Sequence, residues 1–263
     1  MAFDDPAGTA ERAARSGGET AAETFRGRLD IETKDHAADL VTQADRAAQQ
    51  TVVSTLRDAT PDVPIVAEED DARKTVPEDG PAWIVDPIDG TANYVRGIQF
   101  WATSVAAIED GEPVAAANAL PALDDVYVAD TSTARMNGEE VAVSERSNPA
   151  AFAVAATMWW GFMGEGRYGD TLARLGERFG DLRRLGAAQP TLSLVASGAL
   201  DAAATPISPN PWDAVAGVRL IRSAGGVVTD VHGNRWTVDS EGLIASNGAA
   251  HQQLVDAVAP SES

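Results

Sequence analysis

The alternation of apolar and polar positions in the first half of the chain predicts a mixed α+β arrangement. Residues 10–25 and 42–56 are rich in alanine, repeat apolar positions at helical spacing and contain few helix breakers, which predicts two helices. The runs at 63–70 and 82–87 predict short buried strands that end in acidic residues. Strand signals on both sides of an Asp-Gly pair within 103–120 predict a β-hairpin.

The second half alternates short strands with helices. Strands are predicted at 152–156, 181–186, 200–205, 227–231 and 242–246, and helices at 170–180, 190–198, 212–226 and 250–259. This alternation is typical of a layered α/β sandwich. With no internal repeat or long linker, we expect two subdomains, 1–150 and 151–263, that share one cleft.

Composition narrows the chemistry that such a cleft could hold. The 263 residues are 44% hydrophobic, which is enough to bury a core, and they include no cysteine and three scattered histidines. Any bound metal must therefore rely mainly on oxygen ligands, which favours a hard cation such as Mg²⁺. No apolar run of eighteen residues and no signal-peptide pattern occurs, so we expect a soluble, cytoplasmic protein.

The chain is strongly acidic, with a formal net charge of −20. Such a surface repels nucleic acid and anionic membrane, so neither is expected as a partner. The charge serves either general solubility or adaptation to high salt, where screening removes the self-repulsion of the folded state. We favour the adaptation to salt, which makes the chain a candidate halophilic protein.

The segment "AWIVDPIDGTANY" combines a buried strand with carboxylates and turn residues. Pro87 biases Asp86 away from helical angles, so we expect the strand to end near Asp86, where ligand crevices of α/β sheets lie. Asp89 follows, and Gly90 and Thr91 can start a helix whose free N–H groups face an anion. An ordinary Asp-Pro/Asp-Gly turn is the alternative.

Further acids follow or begin other predicted elements. Glu68 comes first after an apolar run and is a candidate ligand, whereas the run at 69–71 is expected to be solvated. In "DLVTQAD", Thr42 and Asp45 fit a helix capping box, and Asp45 either serves only as a cap or also faces the cleft. Asp213 lies in the first turn of a predicted helix, either as a partner of the helix dipole or aimed into the cleft. The glycine pattern of 164–169 fits GxGxxG only weakly, so no nucleotide site is expected there.

Taken together, these residues resemble the inositol monophosphatase family of Mg²⁺-dependent, lithium-sensitive phosphatases, including the type that also hydrolyses fructose 1,6-bisphosphate. The blocks "DLVTQAD", "AEED", "WIVDPIDGTANY", "LGAA" and "PWDAVAGVRLIRSAGGVVTD" follow the family order and span most of the chain. The resemblance implies an αβαβα sandwich, often dimeric, with two or three Mg²⁺ ions in a carboxylate-lined cleft.

The resemblance also implies roles for individual residues. The implied metal ligands are Glu68, Asp86, Asp89, Asp213 and the backbone carbonyl of Ile88. Thr91, paired with Asp45, would orient the attacking water, and Glu68 would hold another metal-bound water. The implied substrate-binding residues are Ile88, Asp89, Gly90, Thr91, Gly186, Ala187, Ala188 and Asp213. Lys34 takes the place of a mobile basic residue near the metals.

Two departures from the family pattern concern the substrate. Inositol phosphatases of this family carry a glutamate some seven residues before the Trp-Asp pair, but no acid lies between Asp201 and Asp213 here. Gln189 and Pro190 stand where small or apolar residues are usual. We therefore expect a phosphatase for a small sugar or polyol phosphate, inositol 1-phosphate or fructose 1,6-bisphosphate. A 3′(2′),5′-bisphosphate nucleotidase and a non-catalytic phosphometabolite-binding protein are the alternatives.

Overall fold

The structure of the protein, a computed structural model, describes residues 3–27, 31–33, 40–69, 72–158 and 167–259. Its α-helices are α1 Pro6–Ala22, α2 Gln43–Ala59, α3 Thr91–Val95, α4 Arg167–Arg178, α5 Ala188–Ala196, α6 Pro211–Ser223 and α7 His251–Val258. Short 3₁₀ turns occur at Pro121–Leu123 and Pro149–Ala151.

The strands form two large sheets and one small ribbon. They are β1 Ile31–Thr33, β2 Leu40–Thr42, β3 Ile65–Ala67, β4 Pro81–Asp89, β5 Ala102–Glu109, β6 Glu112–Leu120, β7 Asp125–Ala129, β8 Ala134–Met136, β9 Glu139–Val141, β10 Ala153–Ala156, β11 Asp181–Arg183, β12 Ala202–Thr205, β13 Val227–Thr229 and β14 Leu243–Ser246. The seven-stranded sheet has the order β3-β4-β5-β6-β7-β8-β9, and the five-stranded sheet has the order β11-β10-β12-β14-β13. Strands β1 and β2 pair with each other.

Alternating side chains show how helices cover both faces of the larger sheet. Trp83 and Val85 of β4 pack in a core with α1 and α2, whereas Ala82 and Ile84 belong to a core that includes α5 and α6. The same helices α5 and α6 cover one face of the smaller sheet, and α4 and α7 cover its other face. The order of layers is therefore α-β-α-β-α, as the family resemblance implies.

Most predicted elements are present, and one differs in a way that bears on function. The hairpin is confirmed, with Asp110 and Gly111 both at positive φ in the two-residue turn between β5 and β6. Strand β4, however, does not end near Asp86: it continues through Pro87 to Asp89. The pairing with β5 shifts register between Asp86 and Asp89, and such a bulge tolerates a proline that cannot donate to the ladder.

Several predictions concern residues that the structure leaves undescribed. Lys34, the acids at 70–71, residues 164–166 of the glycine pattern and the side chain of Thr42 all lie outside the described residues. Among the helices that are described, none has the length and apolar character needed to cross a membrane. The division into subdomains 1–150 and 151–263 stays a prediction, since α5 and α6 contact both large sheets.

Candidate metal and phosphate site

Two parallel strands bring the first pair of carboxylates to one edge of the larger sheet. Strand β3 pairs in parallel with β4, with Ala67 opposite Val85. The amide of Glu68 then donates to the carbonyl of Val85 at 3.3 Å, which sets Glu68 beside Asp86. The carboxyl ends of parallel strands lie at the same sheet edge, so this pairing explains why the two acids meet.

Asp89 reaches across to the start of helix α5. Its carboxylate oxygens accept hydrogen bonds from the amides of Ala188, at 3.1 Å, and Gln189, at 2.6 Å. These are among the first amides of a helix, which have no acceptor within the helix, and the positive end of the helix dipole also favours a carboxylate there. Asp89 therefore caps α5 across about a hundred residues of sequence.

Asp213 is held by its own helix turn. Its Oδ2 accepts from the backbone amide of Asn210 at 3.3 Å and from the side-chain amide of Asn210 at 3.0 Å. In return, the Asn210 side chain accepts from the backbone amide of Asp213, which completes a capping box at the start of α6. Pro211 stands at a helix position that needs no N–H. Asp213 is nevertheless only 4% exposed, so this cap also places a carboxylate inside the protein.

Asp86, Asp89 and Asp213 converge in the interior. Each offers a carboxylate oxygen, and these atoms lie within 4.8 Å of one another. Burial, followed by the charges of Glu68, Asp89 and Asp213, raises the pKa of Asp86 well above its usual range. Burial raises the pKa of Asp89 to about 7, against the opposing effect of the amides of Ala188 and Gln189.

The cluster fits a divalent cation. Among the described residues, Oδ1 of Asp86 is buried with no hydrogen-bond partner, which is unfavourable for a carboxylate unless a cation binds it. Two carboxylates about 4 Å apart repel by about 4 kcal/mol at an effective dielectric of 20, and a divalent ion reverses this into attraction. An all-oxygen donor set is the kind that Mg²⁺ prefers.

Thr91 and Asp45 meet beside this cluster. Asp45 lies fully buried in the first turn of α2, and the Thr91 hydroxyl donates to its Oδ1 at 3.1 Å. The same hydroxyl lies 3.0 Å from the carbonyl oxygen of Ile88. Of the two interpretations of Asp45, the structure favours the one in which it faces Thr91 and the site.

The predicted substrate-binding loop packs directly on the start of α3. Gly90 has φ +93°, and a Cβ at this position would lie 2.7 Å from the Cβ of Ala187, so only glycine fits without displacement. A Cβ at Gly186, which has φ +82°, would lie 2.9 Å from the amide oxygen of Asn93. The structure therefore brings Gly186, Ala187 and Gly90 together, while the amide of Ala188 is engaged by Asp89.

One sequence prediction about the acid run is wrong. Glu69 is not solvated but 3% exposed, because Gln49 of α2 bonds both its backbone amide, at 2.8 Å, and its backbone carbonyl, at 2.9 Å. This pairing turns Glu69 inward. Glu68 is half-buried and beside Asp86, as a ligand would be.

Sequence reasoning missed Lys74 as a residue that shapes the site. Its ammonium donates to the backbone carbonyls of Ala67, Glu68 and Glu69, and it lies 5.7 Å from the centre of the Trp212 ring. Lys74 thereby joins the segment of Glu68 to the residue before Asp213. A lone lysine three residues beyond an acid run carries no sequence signal of this role.

Residues 202–212, all of which the structure describes, contain no carboxylate in place of the inositol-contacting glutamate. Thr205 is fully buried at the end of β12, and the nearest acid upstream, Asp201, is 1% exposed. The Asp201 carboxylate is used structurally, since it accepts from the hydroxyl of Ser144 and from the amide of Ala153 at 2.8 Å. The described residues of this segment therefore offer no acidic group for contacting inositol in the way usual for the family.

Comparison with known proteins agrees with the fold. The model of the inositol monophosphatase family matches residues 5–263. A fructose-1,6-bisphosphatase/inositol-1-monophosphatase of Thermotoga maritima is 35% identical over 234 residues, 88% of each chain. A protein of Pseudomonas aeruginosa named Nus factor SuhB is 33% identical over 261 residues, 95% of this chain and 94% of that protein.

Solved structures give the same result. The inositol monophosphatase of Thermotoga maritima superposes with a TM-score of 0.84 at 34% identity, covering 94% of each chain. The extragenic suppressor protein SuhB of Bartonella henselae superposes with a TM-score of 0.87 at 30% identity, covering 95% of this chain and 97% of that one. The chain therefore belongs to the inositol monophosphatase family and is a phosphoric monoester hydrolase.

Proposed function

We propose that the protein is a Mg²⁺-dependent phosphatase of small sugar or polyol phosphates, with inositol 1-phosphate and fructose 1,6-bisphosphate as candidate substrates. The observation that carries this proposal is the buried convergence of Asp86, Asp89 and Asp213 within 4.8 Å. Two or three Mg²⁺ ions would be held by these acids, by Glu68 and by the carbonyl of Ile88.

The chain's own residues supply the proton chemistry. In this site Mg²⁺ would hold the phosphate ester, lower the pKa of a water bound to it and neutralise charge on the leaving alkoxide. Thr91 Oγ1 donates to Asp45 Oδ1 and so keeps a lone pair for a proton of the attacking water. As that water attacks phosphorus, Thr91 takes its proton and passes its own to Asp45. Glu68 would hold a further water.

The start of α3 offers backbone donors for the phosphate group. The first amides of a helix lack intrahelical acceptors, and those of Gly90 and Thr91 follow directly on Asp89. Ala187 packs against Gly90 and closes this side of the site. The proposed substrate-binding set thus comprises Ile88, Asp89, Gly90, Thr91, Gly186, Ala187, Ala188 and Asp213.

The missing glutamate bears on the choice between the two candidate substrates. The relatives' names cover inositol-1-monophosphatase and fructose-1,6-bisphosphatase activities. Because residues 202–212 contain no acid where the family resemblance implies an inositol-contacting glutamate, we expect weak selectivity for inositol. We therefore expect fructose 1,6-bisphosphate to be hydrolysed at least as well as inositol 1-phosphate.

The remaining partner predictions belong to this proposal. A net charge of −20 supports an enzyme that does not bind nucleic acid, although two relatives are named Nus factor SuhB. RNA binding in physiological salt, measured by fluorescence anisotropy, should be absent. Sedimentation should give a homodimer, and a cytoplasmic location is expected.

A substrate panel tests the proposal. Phosphate release from inositol 1-phosphate, fructose 1,6-bisphosphate and adenosine 3′,5′-bisphosphate is compared with Mg²⁺ and with EDTA. The expected result is Mg²⁺-dependent release from the first two, inhibited by Li⁺ and abolished in Asp89→Asn. Preference for the third substrate would indicate a nucleotidase, and tight ligand binding without turnover would indicate a non-catalytic protein. Full activity of a folded Asp89→Asn variant would contradict the metal assignment.

A further inference from the structure

Gln189 occupies an unusual position between two of the proposed metal ligands. It lies in the first turn of α5, is fully buried, and stands where the family resemblance implies a small or apolar residue. Its backbone amide donates to Asp89 at 2.6 Å. The backbone of Gln189 therefore already holds one proposed metal ligand, Asp89.

The side chain of Gln189 binds the backbone of α6 on both sides of Asp213. Its Nε2 donates to the carbonyl of Trp212 at 2.6 Å, and its Oε1 accepts from the amide of Gly217 at 2.8 Å. In a regular helix the amide of Gly217 would face the carbonyl of Asp213, four residues earlier. One side chain thus fixes the turn of α6 that carries Asp213.

Close packing of the two helices makes this contact possible. A Cβ at Gly217 would lie 2.3 Å from Leu192 Cδ1 and 2.4 Å from Leu192 Cβ, so α5 and α6 touch there with no room for a side chain. A longer separation would put the α6 backbone beyond the reach of Gln189. Gly217 and Gln189 therefore act as one structural unit.

A buried polar network supports Gln189 from behind. The Nδ2 atom of Asn118, on β6, donates to Ser193 Oγ at 2.9 Å and lies 3.3 Å from Gln189 Oε1. The Ser193 hydroxyl in turn donates to the backbone carbonyl of Gln189 at 2.8 Å. Asn118 Oδ1 is buried without a hydrogen-bond partner among the described residues. Burying an amide with an unpaired oxygen is unfavourable, and an apolar residue would fill the same space without that penalty.

We infer that Gln189 is a positioning residue, which sets Asp89 and Asp213 at the separation that Mg²⁺ binding requires. This inference rests on the proposed function, because it assumes that those two acids bind the metal. It explains why a buried polar network occupies a place where an apolar residue would pack at lower cost. Gln189 touches neither the metal nor the substrate in this account, so it acts only through the two ligands.

The test compares Gln189→Met with Ser193→Ala. Methionine has similar length and volume, keeps the amide bond to Asp89, and removes both side-chain bonds to α6. Ser193→Ala disturbs the same buried network without touching α6. The readouts are Mg²⁺ affinity by isothermal titration calorimetry and the rise in Tm caused by Mg²⁺ over EDTA.

We expect Gln189→Met to bind Mg²⁺ about tenfold more weakly, as the loss of two ordinary hydrogen bonds predicts, and to show a smaller Mg²⁺-induced rise in Tm. Ser193→Ala should lower Tm equally in Mg²⁺ and EDTA and keep wild-type affinity. Wild-type Mg²⁺ binding by Gln189→Met, or an equal loss in Ser193→Ala, would overturn the inference.

The outcomes separate the inference from the proposed function. If the wild type binds Mg²⁺ but releases no phosphate from the panel, the proposed function fails, and a weakened Gln189→Met still supports the positioning role. If the wild type is active and Gln189→Met binds Mg²⁺ equally well, only the positioning role fails. A wild type that binds no Mg²⁺ overturns both.

Discussion

The hydroxyl of Thr91 lies 3.1 Å from the carboxylate of Asp45, although the two residues are 46 positions apart in the chain. Thr91 begins α3 two residues after Asp89, and Asp45 is fully buried in α2. A buried carboxylate that accepts from a threonine hydroxyl can receive the proton of a water on the far side of that hydroxyl. This contact links the cluster of Asp86, Asp89 and Asp213 to a proton acceptor.

Removing the Thr91 hydroxyl should therefore impair catalysis more than metal binding. We expect Thr91→Val, which keeps the shape, to lower kcat by about 10²–10⁴-fold, the range for loss of positioned proton transfer. Mg²⁺ affinity, measured by calorimetry, should change less than threefold, roughly. Thr91→Ser is the matched control and should keep most of the activity. Equal kcat in Thr91→Val and wild type would exclude the proposed water-orienting role.

Replacing Asp86 by Asn should stabilise the metal-free protein while abolishing activity. The pKa of Asp86 is raised by burial and neighbouring carboxylates, so ionising it opposes folding as pH rises above the ordinary carboxyl range. In EDTA at pH 8 we expect the free energy of unfolding, measured by urea denaturation, to be higher for the variant than for the wild type.

The same reasoning fixes the pH dependence of that difference. At pH 5 a larger fraction of wild-type Asp86 is protonated than at pH 8, so the stability advantage of Asp86→Asn should shrink. With excess Mg²⁺ at pH 8 the order should reverse, because only the wild type gains binding energy from the metal. A variant less stable than wild type in EDTA at pH 8 would contradict the electrostatic account.

His251 should make the smaller sheet sensitive to acid. Its Nε2 and Nδ1 each lie 2.8 Å from a hydroxyl, of Thr229 and Ser246 respectively. Thr229 donates to the Asp230 carbonyl at 2.9 Å, so it accepts from Nε2–H, which leaves Nδ1 to accept from Ser246. The imidazole is therefore neutral, and burial lowers its pKa.

A lowered pKa means that this stability is fully present above the ordinary histidine pKa of about 6.5, and it is lost as pH falls from there through the lower pKa of His251 in the folded state. His251→Gln should be less stable than wild type by about 1–2 kcal/mol at pH 7.5, since two hydrogen bonds are disturbed. The difference should shrink at pH 5.5. A constant deficit across this range would contradict the prediction.

High salt should stabilise the folded protein if the acidic surface reflects a saline habitat. At a net charge of −20 the folded state suffers self-repulsion that salt screens. We expect Tm in EDTA to rise between about 0.1 M and 2 M KCl, where the screening length falls from about 10 Å to under 3 Å. An unchanged Tm would favour solubility alone as the reason for the acids.

Local patterns in the sequence predict much of the fold and the site. Apolar runs followed by acids mark β3 and β4, and the parallel pairing of these strands brings Glu68 beside Asp86. An acid in the first turn marks the start of α6, where Asp213 is buried. The positions of these elements along the chain depend on sequence neighbours, so spacing and propensity suffice to predict them.

The features that sequence patterns miss depend on distant contacts. Strand β4 passes through Pro87 because a bulge against β5 removes the need for its amide. Glu69 is buried because Gln49 holds its backbone from another element. Gln189 acquires partners 28, 71 and 100 residues away, and no local pattern encodes such a set.

The most direct measurement of the central claim is a crystal structure of the wild-type protein grown with Mn²⁺ in place of Mg²⁺, with anomalous scattering to locate the ions. We predict anomalous peaks bridging the carboxylates of Asp86, Asp89 and Asp213, with Glu68 and the carbonyl of Ile88 as further ligands, and their loss in Asp89→Asn. Ordered carboxylates with no peak among them, at Mn²⁺ concentrations that support phosphate release, would contradict the account.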